Sequence, residues 1–147
     1  MSSVGEQVLL DVRGLRMFFP IQRGLLRRTV GYVRAVDDVN FFIRKGEMLS
    51  LVGESGCGKT TTARCIMRAY QPSAGQILFR SKSGEIVDIA CLPKPKLRPL
   101  RPQIQMIFQD PISSLNPRMT VLDIIAEGLT VNGMKNRQER VDRVAEA

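Results

Sequence analysis

The chain has 147 residues with 22 Lys plus Arg, 14 Asp plus Glu and no histidine, which gives a net charge of +8. Without histidine, these residues contain no His-ligated metal, no His general base and no Ser-His-Asp triad. Three cysteines, an odd number without a CxxC pair, exclude a disulfide framework and a zinc ribbon and fit a reducing setting.

No apolar run approaches the roughly 18 residues that a membrane-spanning helix needs. Residues 1–6 lack the basic flank and apolar stretch of a secretory signal. Residues 1–46 carry 8 basic and 4 acidic side chains while residues 111–147 carry 5 and 5, so the excess lies in the N-terminal half and around Lys94, Lys96, Arg98 and Arg101. A pI near 10.0 raises nucleic acid as a partner. Six Phe and two Tyr, not interleaved with the basic residues, argue against it. The expectation is a basic face turned to solvent or to anionic lipid head groups, with no nucleic acid.

Val8–Val12 reads as a first strand, and the polar, basic stretch Gln22–Gly31, with glycines near its ends, reads as a loop. Val39–Ile43 is strand-like and Arg44–Glu47 is turn chemistry. Met48–Val52 is nearly continuous in apolar residues, as in a strand buried on both faces of a parallel sheet. A helix follows, with Ala63, Ile66, Met67 and Tyr70 on one face and Pro72 as its stop. Gln76–Arg80 and Glu85–Ile89 form a hairpin around Ser83-Gly84, and Ile104–Phe108 is a further strand. Thr120 with Asp123 opens a helix over Val121–Leu129. Asn136 with Glu139 opens another, with Val141, Val144 and Ala145 on one face. That helix reaches Ala147 without a stop signal, so the chain is expected to be the first part of a longer domain.

Between the apolar run and the first helix lies Gly53-Glu54-Ser55-Gly56-Cys57-Gly58-Lys59-Thr60-Thr61, which matches G-x-x-x-x-G-K-[ST]. Glycines let the backbone take positive φ and turn its amides inward as a nest for phosphate oxygens. The helix start adds unsatisfied amides and the positive end of its dipole. Lys59 supplies a point charge for the outer phosphates, and Thr60 a hydroxyl for Mg²⁺. A chance Gly-rich turn is the alternative, which the strand–loop–helix setting disfavours. No aspartate after Lys59 has glycine three residues on, and none follows four apolar residues, so a GTPase switch and a second-strand carboxylate are both missing.

Fifty residues after Lys59 comes Ile107-Phe108-Gln109-Asp110-Pro111, followed by Ile112 to Val121. A neutral amide in a Pro-punctuated loop can reach a metal or a water; from the residues alone a plain surface loop is the better reading. GESGCGKTT together with FQDPISSLNPRMTV resembles the ATP-binding subunit of an ABC transporter, in the oligopeptide/dipeptide importer branch. AVDDVNFFIRKGEMLSLVGESGCGKTT and RPLRPQIQMIFQDP extend the resemblance over nearly the whole chain. It implies an α/β fold: a P-loop NTPase core, a small antiparallel β subdomain and the start of a helical subdomain, truncated at the C-terminus.

The resemblance also implies ATP and Mg²⁺ as cofactors, bound by residues 53–61. Gln109 is similar to the glutamine that meets Mg²⁺ and the attacking water and links the site to membrane subunits. Phe19 sits where such subunits place an aromatic on adenine, with Phe18 or Tyr32 as alternatives. Gln22–Gly31 resembles an insertion of the peptide importers. Pro102 departs from the pattern, since a basic residue is more usual there, and it removes an N–H donor before Ile104.

The family's LSGGQ-like signature, Asp-Glu strand and switch histidine do not occur in residues 1–147. The implied function is the ATP-binding part of a transport ATPase that powers peptide uptake, hydrolysis-deficient by itself. The implied partners are membrane-spanning permease subunits, a second ATP-binding subunit and, indirectly, a solute-binding protein. Its place would be peripheral, on the cytoplasmic face of the membrane. A nucleotide-binding module without hydrolysis and a soluble ABC-type ATPase acting on nucleic acid are the competing readings.

Overall fold

The structure is a computed structural model and describes residues 7–24, 27–110 and 115–146. The chain divides into two compact units, Met1–Gln105 and Met106–Ala147.

The first unit is organised by a four-stranded antiparallel sheet of order β2-β1-β3-β4. Strands β1 (Val8–Arg23) and β2 (Arg28–Arg44) form one long hairpin, paired from Val8↔Arg44 to Arg23↔Arg28 with several register shifts between. The other edge of β1 pairs with β3 (Ala74–Arg80), and β3 pairs with β4 (Ile86–Asp88). The core-facing side chains of β1 change parity in mid-strand, from Leu10 and Val12 to Leu15 and Met17. The cause is a bulge between Val12 and Leu15, where Gly14 takes φ +56° and its amide donates to the Asn40 side chain at 2.6 Å. One extra residue in one strand reverses which face each later side chain occupies. Ile77, Phe79, Val36, Ile89 and Leu97 complete the core with Cys65 from the helix that follows the phosphate-type loop.

That helix, α1, spans Lys59–Ile66 and ends well before Pro72. Arg68, at φ +52°, takes the left-handed position that closes a Schellman motif. Its amide donates to the Cys65 carbonyl at 2.9 Å, and the Ala69 amide to the Arg64 carbonyl at 2.9 Å. A non-glycine there costs about 1 kcal/mol or more. The Arg68 guanidinium offsets this by donating to the Ile89 carbonyl at 2.6 Å and the Leu92 carbonyl at 3.1 Å. Tyr70 therefore lies outside the helix, yet it still packs on the core.

Three other expectations are corrected. Most of Gln22–Gly31 is strand, because Gln22 pairs with Thr29, Arg23 with Arg28 and Gly31 with Ile21 across the hairpin instead of looping out. Met48–Val52 and Ile104–Phe108 are not strands. A strand exists by hydrogen bonding to a neighbour, and among the described residues neither segment has one. Met48, Val52 and Ile107 accordingly stand 91%, 92% and 94% exposed. Pro102 sits inside a 3₁₀ turn, Arg98–Gln103, which follows the short helix α2 (Lys94–Leu97).

In the second unit, α3 (Val121–Val131) and α4 (Arg137–Glu146) are the two helices expected there. Thr120 Oγ1 accepts from the Asp123 amide at 3.2 Å and its hydroxyl donates to the Asp123 carboxylate at 2.6 Å. Asn136 Oδ1 accepts from the Gln138 amide at 2.9 Å at the start of α4. Such caps stabilise a helix by about 1 kcal/mol each. On α4, Val141 and Val144 are half-buried, but Ala145 is exposed.

Candidate functional site

The segment from Gly53 to Gly58 carries positive φ at Gly53, Gly56 and Gly58, and Gly58 is the N-terminal boundary residue of α1. The first helical hydrogen bond runs from the Thr62 amide to the Gly58 carbonyl at 2.8 Å. Among the described residues no side chain caps this end, and no acidic residue lies in its first turn. The amides of Gly58, Lys59, Thr60 and Thr61 are therefore the four unsatisfied donors of a helix N-terminus. Glycine at 58 is required twice over. Its φ is +95°, and a Cβ there would overlap the carbonyl oxygen of Ala35 in β2. The end of the loop thus rests main chain against main chain on the sheet.

The Lys59 ammonium donates to the carbonyls of Gly53 and Glu54, both at 2.7 Å, and lies 3.4 Å from Cys57 Sγ. It closes the loop from within and puts a full positive charge beside the orphan amides. Ser55, Cys57 and Thr60 are exposed, and Thr61 is half-buried. Chemically, several amide donors, one ammonium, a helix N-terminus and the exposed Thr60 make an arrangement that can receive a multiply charged oxyanion.

Phe19 is brought to the same unit. It pairs with Val33 in the hairpin, near the Ala35 contact, and its ring meets Tyr70 edge-on with centroids 5.5 Å apart. It is half-buried and packs against the core, while Tyr32 is 64% exposed and Phe18 lies 5.7 Å from the Arg34 guanidinium. Gln109 belongs to the second unit, where it sits in an exposed bend. Residues 111–114 of the segment that follows Gln109 lie outside the described residues.

The cysteines occupy three different environments. Cys57 is exposed inside the loop, Cys91 is exposed elsewhere, and Cys65 is buried under the sheet. Burial pushes the Cys65 thiol up, against the opposing pull of the Arg68 charge. A neutral alkylating reagent should therefore modify Cys57 and Cys91 and spare Cys65 in the folded chain. Mg-ATP should slow modification of Cys57 selectively, as followed by peptide mass mapping. Equal Cys57 rates with and without nucleotide would count against a nucleotide in this loop.

Among the described residues, no cluster of His, Cys, Asp and Glu could hold a metal by itself, and no helix is long and apolar enough to cross a membrane. Two features escaped sequence reasoning: the folding of Lys59 onto its own loop carbonyls, and the Ala35 contact. Neither has a local signal, since both depend on where distant backbone arrives.

An α/β chain with a glycine-rich anion loop opening a helix defines a phosphate-binding-loop protein. Residues 36–147 match the family model described as ABC transporter, and the chain belongs to that family. It is 46% identical over 147 residues to the oligopeptide transport ATP-binding protein AppF of Bacillus subtilis (strain 168), covering 99% of this chain and 43% of that one. It is 49% identical over 139 residues to the oligopeptide transport ATP-binding protein OppF of the same organism, covering 94% and 42%. The glutathione import ATP-binding protein GsiA of Escherichia coli O157:H7 is 48% identical over 141 residues, covering 96% of this chain and 22% of its own length. The chain thus spans less than half the length of these relatives. The dimeric structure of MJ0796, a bacterial ABC transporter cassette, superposes with a TM-score of 0.72 at 21% identity, covering 94% of this chain and 55% of that one. This likeness confirms the fold of an ABC cassette.

Proposed function

We propose that this chain is the ATP-binding part of an ABC importer for peptides, with Gly53–Thr61 holding the nucleotide phosphates. The observation that carries the reading is the set of four unsatisfied amides beside the Lys59 ammonium. That donor set fits a polyphosphate and has no acidic side chain in the first helical turn to satisfy it. The Thr60 hydroxyl, exposed in the first turn, would take Mg²⁺ together with phosphate oxygens. Phe19, on β1 and paired with Val33 of the strand that abuts the loop, would carry the adenine, and Gln109 would meet the metal and the water. The peptide class is supported by the AppF and OppF names, and a tie to import by GsiA. The partners are then permease subunits, a second ATP-binding subunit and, through the permease, a solute-binding protein. The chain would sit peripherally on the cytoplasmic face of the membrane.

The test is uptake. A strain lacking the gene should fail to accumulate a labelled oligopeptide, and the native gene should restore accumulation while its Lys59→Ala form should not. Restoration by both forms would overturn the reading.

The 147-residue polypeptide itself should bind Mg-ATP but release phosphate near the background rate. Residues 1–147 hold no histidine, and no aspartate follows an apolar run as a strand carboxylate would. Gln109 orients a water but is too weak a base to take its proton. Losing one well-placed donor typically costs about 10²–10³ in rate, and here several are missing. Robust Mg²⁺-dependent phosphate release, abolished by Lys59→Ala, would show that the catalytic parts are misassigned.

A further inference from the structure

A second cationic site lies in the first unit, between the end of α1 and the segment that runs through α2 into the 3₁₀ turn. It is a cavity of about 600 Å³ whose walls include Arg68, Cys91, Lys94, Leu97, Arg98 and Arg101. That volume falls in the range of small-ligand sites. Four of its side chains are cations and none is a carboxylate.

Two of the cations are fixed by the fold. Arg68 is tied to the Ile89 and Leu92 carbonyls, and Arg101 Nη1 donates to the Met67 carbonyl at 2.8 Å. Each guanidinium has five N–H donors, so both retain donors after these bonds. The side chains of the other two, Lys94 and Arg98, are exposed and make no hydrogen bond or ion pair among the described residues. Four like charges around one hollow repel each other, so an anion placed among them is favoured by charge, and two pre-set guanidinium forks suit oxyanion geometry.

The geometry points to this cavity as a binding site for a phosphate group, separate from the Gly53–Thr61 loop. The pinned arginines orient the group, and Lys94 and Arg98 close over it. A soluble phosphate and a lipid head group share this chemistry.

Cys91 makes the test internal to the protein. It lines the cavity and is exposed, and its Sγ donates a 3.4 Å hydrogen bond to the Asp88 carbonyl. Cys57 reports on the phosphate loop in the same reaction, and buried Cys65 serves as the unreactive control. Alkylation by iodoacetamide, which is uncharged, is followed at each cysteine with and without pyrophosphate. Vesicles of phosphatidylglycerol and of phosphatidylcholine form the second arm.

The proposal expects pyrophosphate or phosphatidylglycerol vesicles to slow Cys91 several-fold, and to do so in Lys59→Ala as well. Slowing by pyrophosphate identifies a soluble phosphate as sufficient; slowing by phosphatidylglycerol vesicles alone identifies a lipid-borne one. In Lys94→Gln/Arg98→Gln, the concentration of probe needed to protect Cys91 should rise about tenfold or more, the equivalent of one charge-assisted hydrogen bond. Protection of Cys57 should be retained there. Three results would overturn the proposal: no slowing of Cys91 by any probe, equal slowing by chloride at matched ionic strength, or unchanged protection in the double variant. Because Cys57 and Cys91 are read separately, failure here is distinct from failure of the nucleotide reading.

Discussion

The Lys59→Ala variant should bind Mg-ATP about a hundredfold more weakly than the unaltered chain, a loss on the order of 3 kcal/mol. Two effects combine. The variant removes the one full positive charge placed among amide dipoles, and hydrogen bonds to a charged group are worth more than neutral ones. It also removes the two 2.7 Å bonds by which Lys59 holds the Gly53 and Glu54 carbonyls, so the loop loses an internal tie before any ligand arrives. Calorimetric titration measures the first effect, and a thermal melt without nucleotide measures the second. Unchanged affinity would remove Lys59 from the phosphate role.

Gly58→Ala should be the most damaging single-methyl change in the loop. An L-residue at φ +95° is strained by about 1–2 kcal/mol, and a methyl forced against fixed backbone adds about 1–3 kcal/mol. Relief requires α1 to move away from β2, which would displace the amides of residues 58–61 and expose Cys65. The expected outcome is a lower melting temperature, loss of nucleotide binding and Cys65 becoming open to alkylation. A variant that melts like the parent and keeps Cys65 protected would show that the contact with Ala35 is not tight. A Gly84→Ala control, at φ +86° with open space around it, carries the backbone strain without the overlap.

How far the sequence reveals this architecture depends on the range of the interactions involved. The geometry of the glycine-rich loop was legible because its requirements are local: glycines for positive φ and a helix start directly after them. The caps at Thr120 and Asn136 and the hairpin around Ser83-Gly84 are equally short-range, and all three appear where expected. The fold class and family were read from long motifs, GESGCGKTT and FQDPISSLNPRMTV, and both hold.

What was misread depends on distant partners. Ile66, Met67 and Tyr70 keep helical spacing, yet the helix stops at Ile66 because Arg68 finds two carbonyls more than twenty residues away. Gln22–Gly31 looked like a loop by polarity, but β1 reaches through it to Arg23 and β2 begins at Arg28. Met48–Val52 has the composition of a buried strand, and composition does not supply a neighbour to pair with.

The seat of Gly58 on Ala35 also sets which kinds of sequence change the site tolerates. Since the Ala35 atom that the loop meets belongs to the main chain, the side chain at position 35 can be exchanged without altering where the loop amides are held. Length is another matter. Removing or adding one residue in β2 shifts every later residue to the opposite face of the hairpin, replacing the Ala35 carbonyl under the loop with a backbone group of different direction. Substitutions at position 35 should therefore accumulate freely, unlike those at the buried Val36, whereas insertions and deletions between Arg34 and the bulge near Gly14 and Asn40 should be purged.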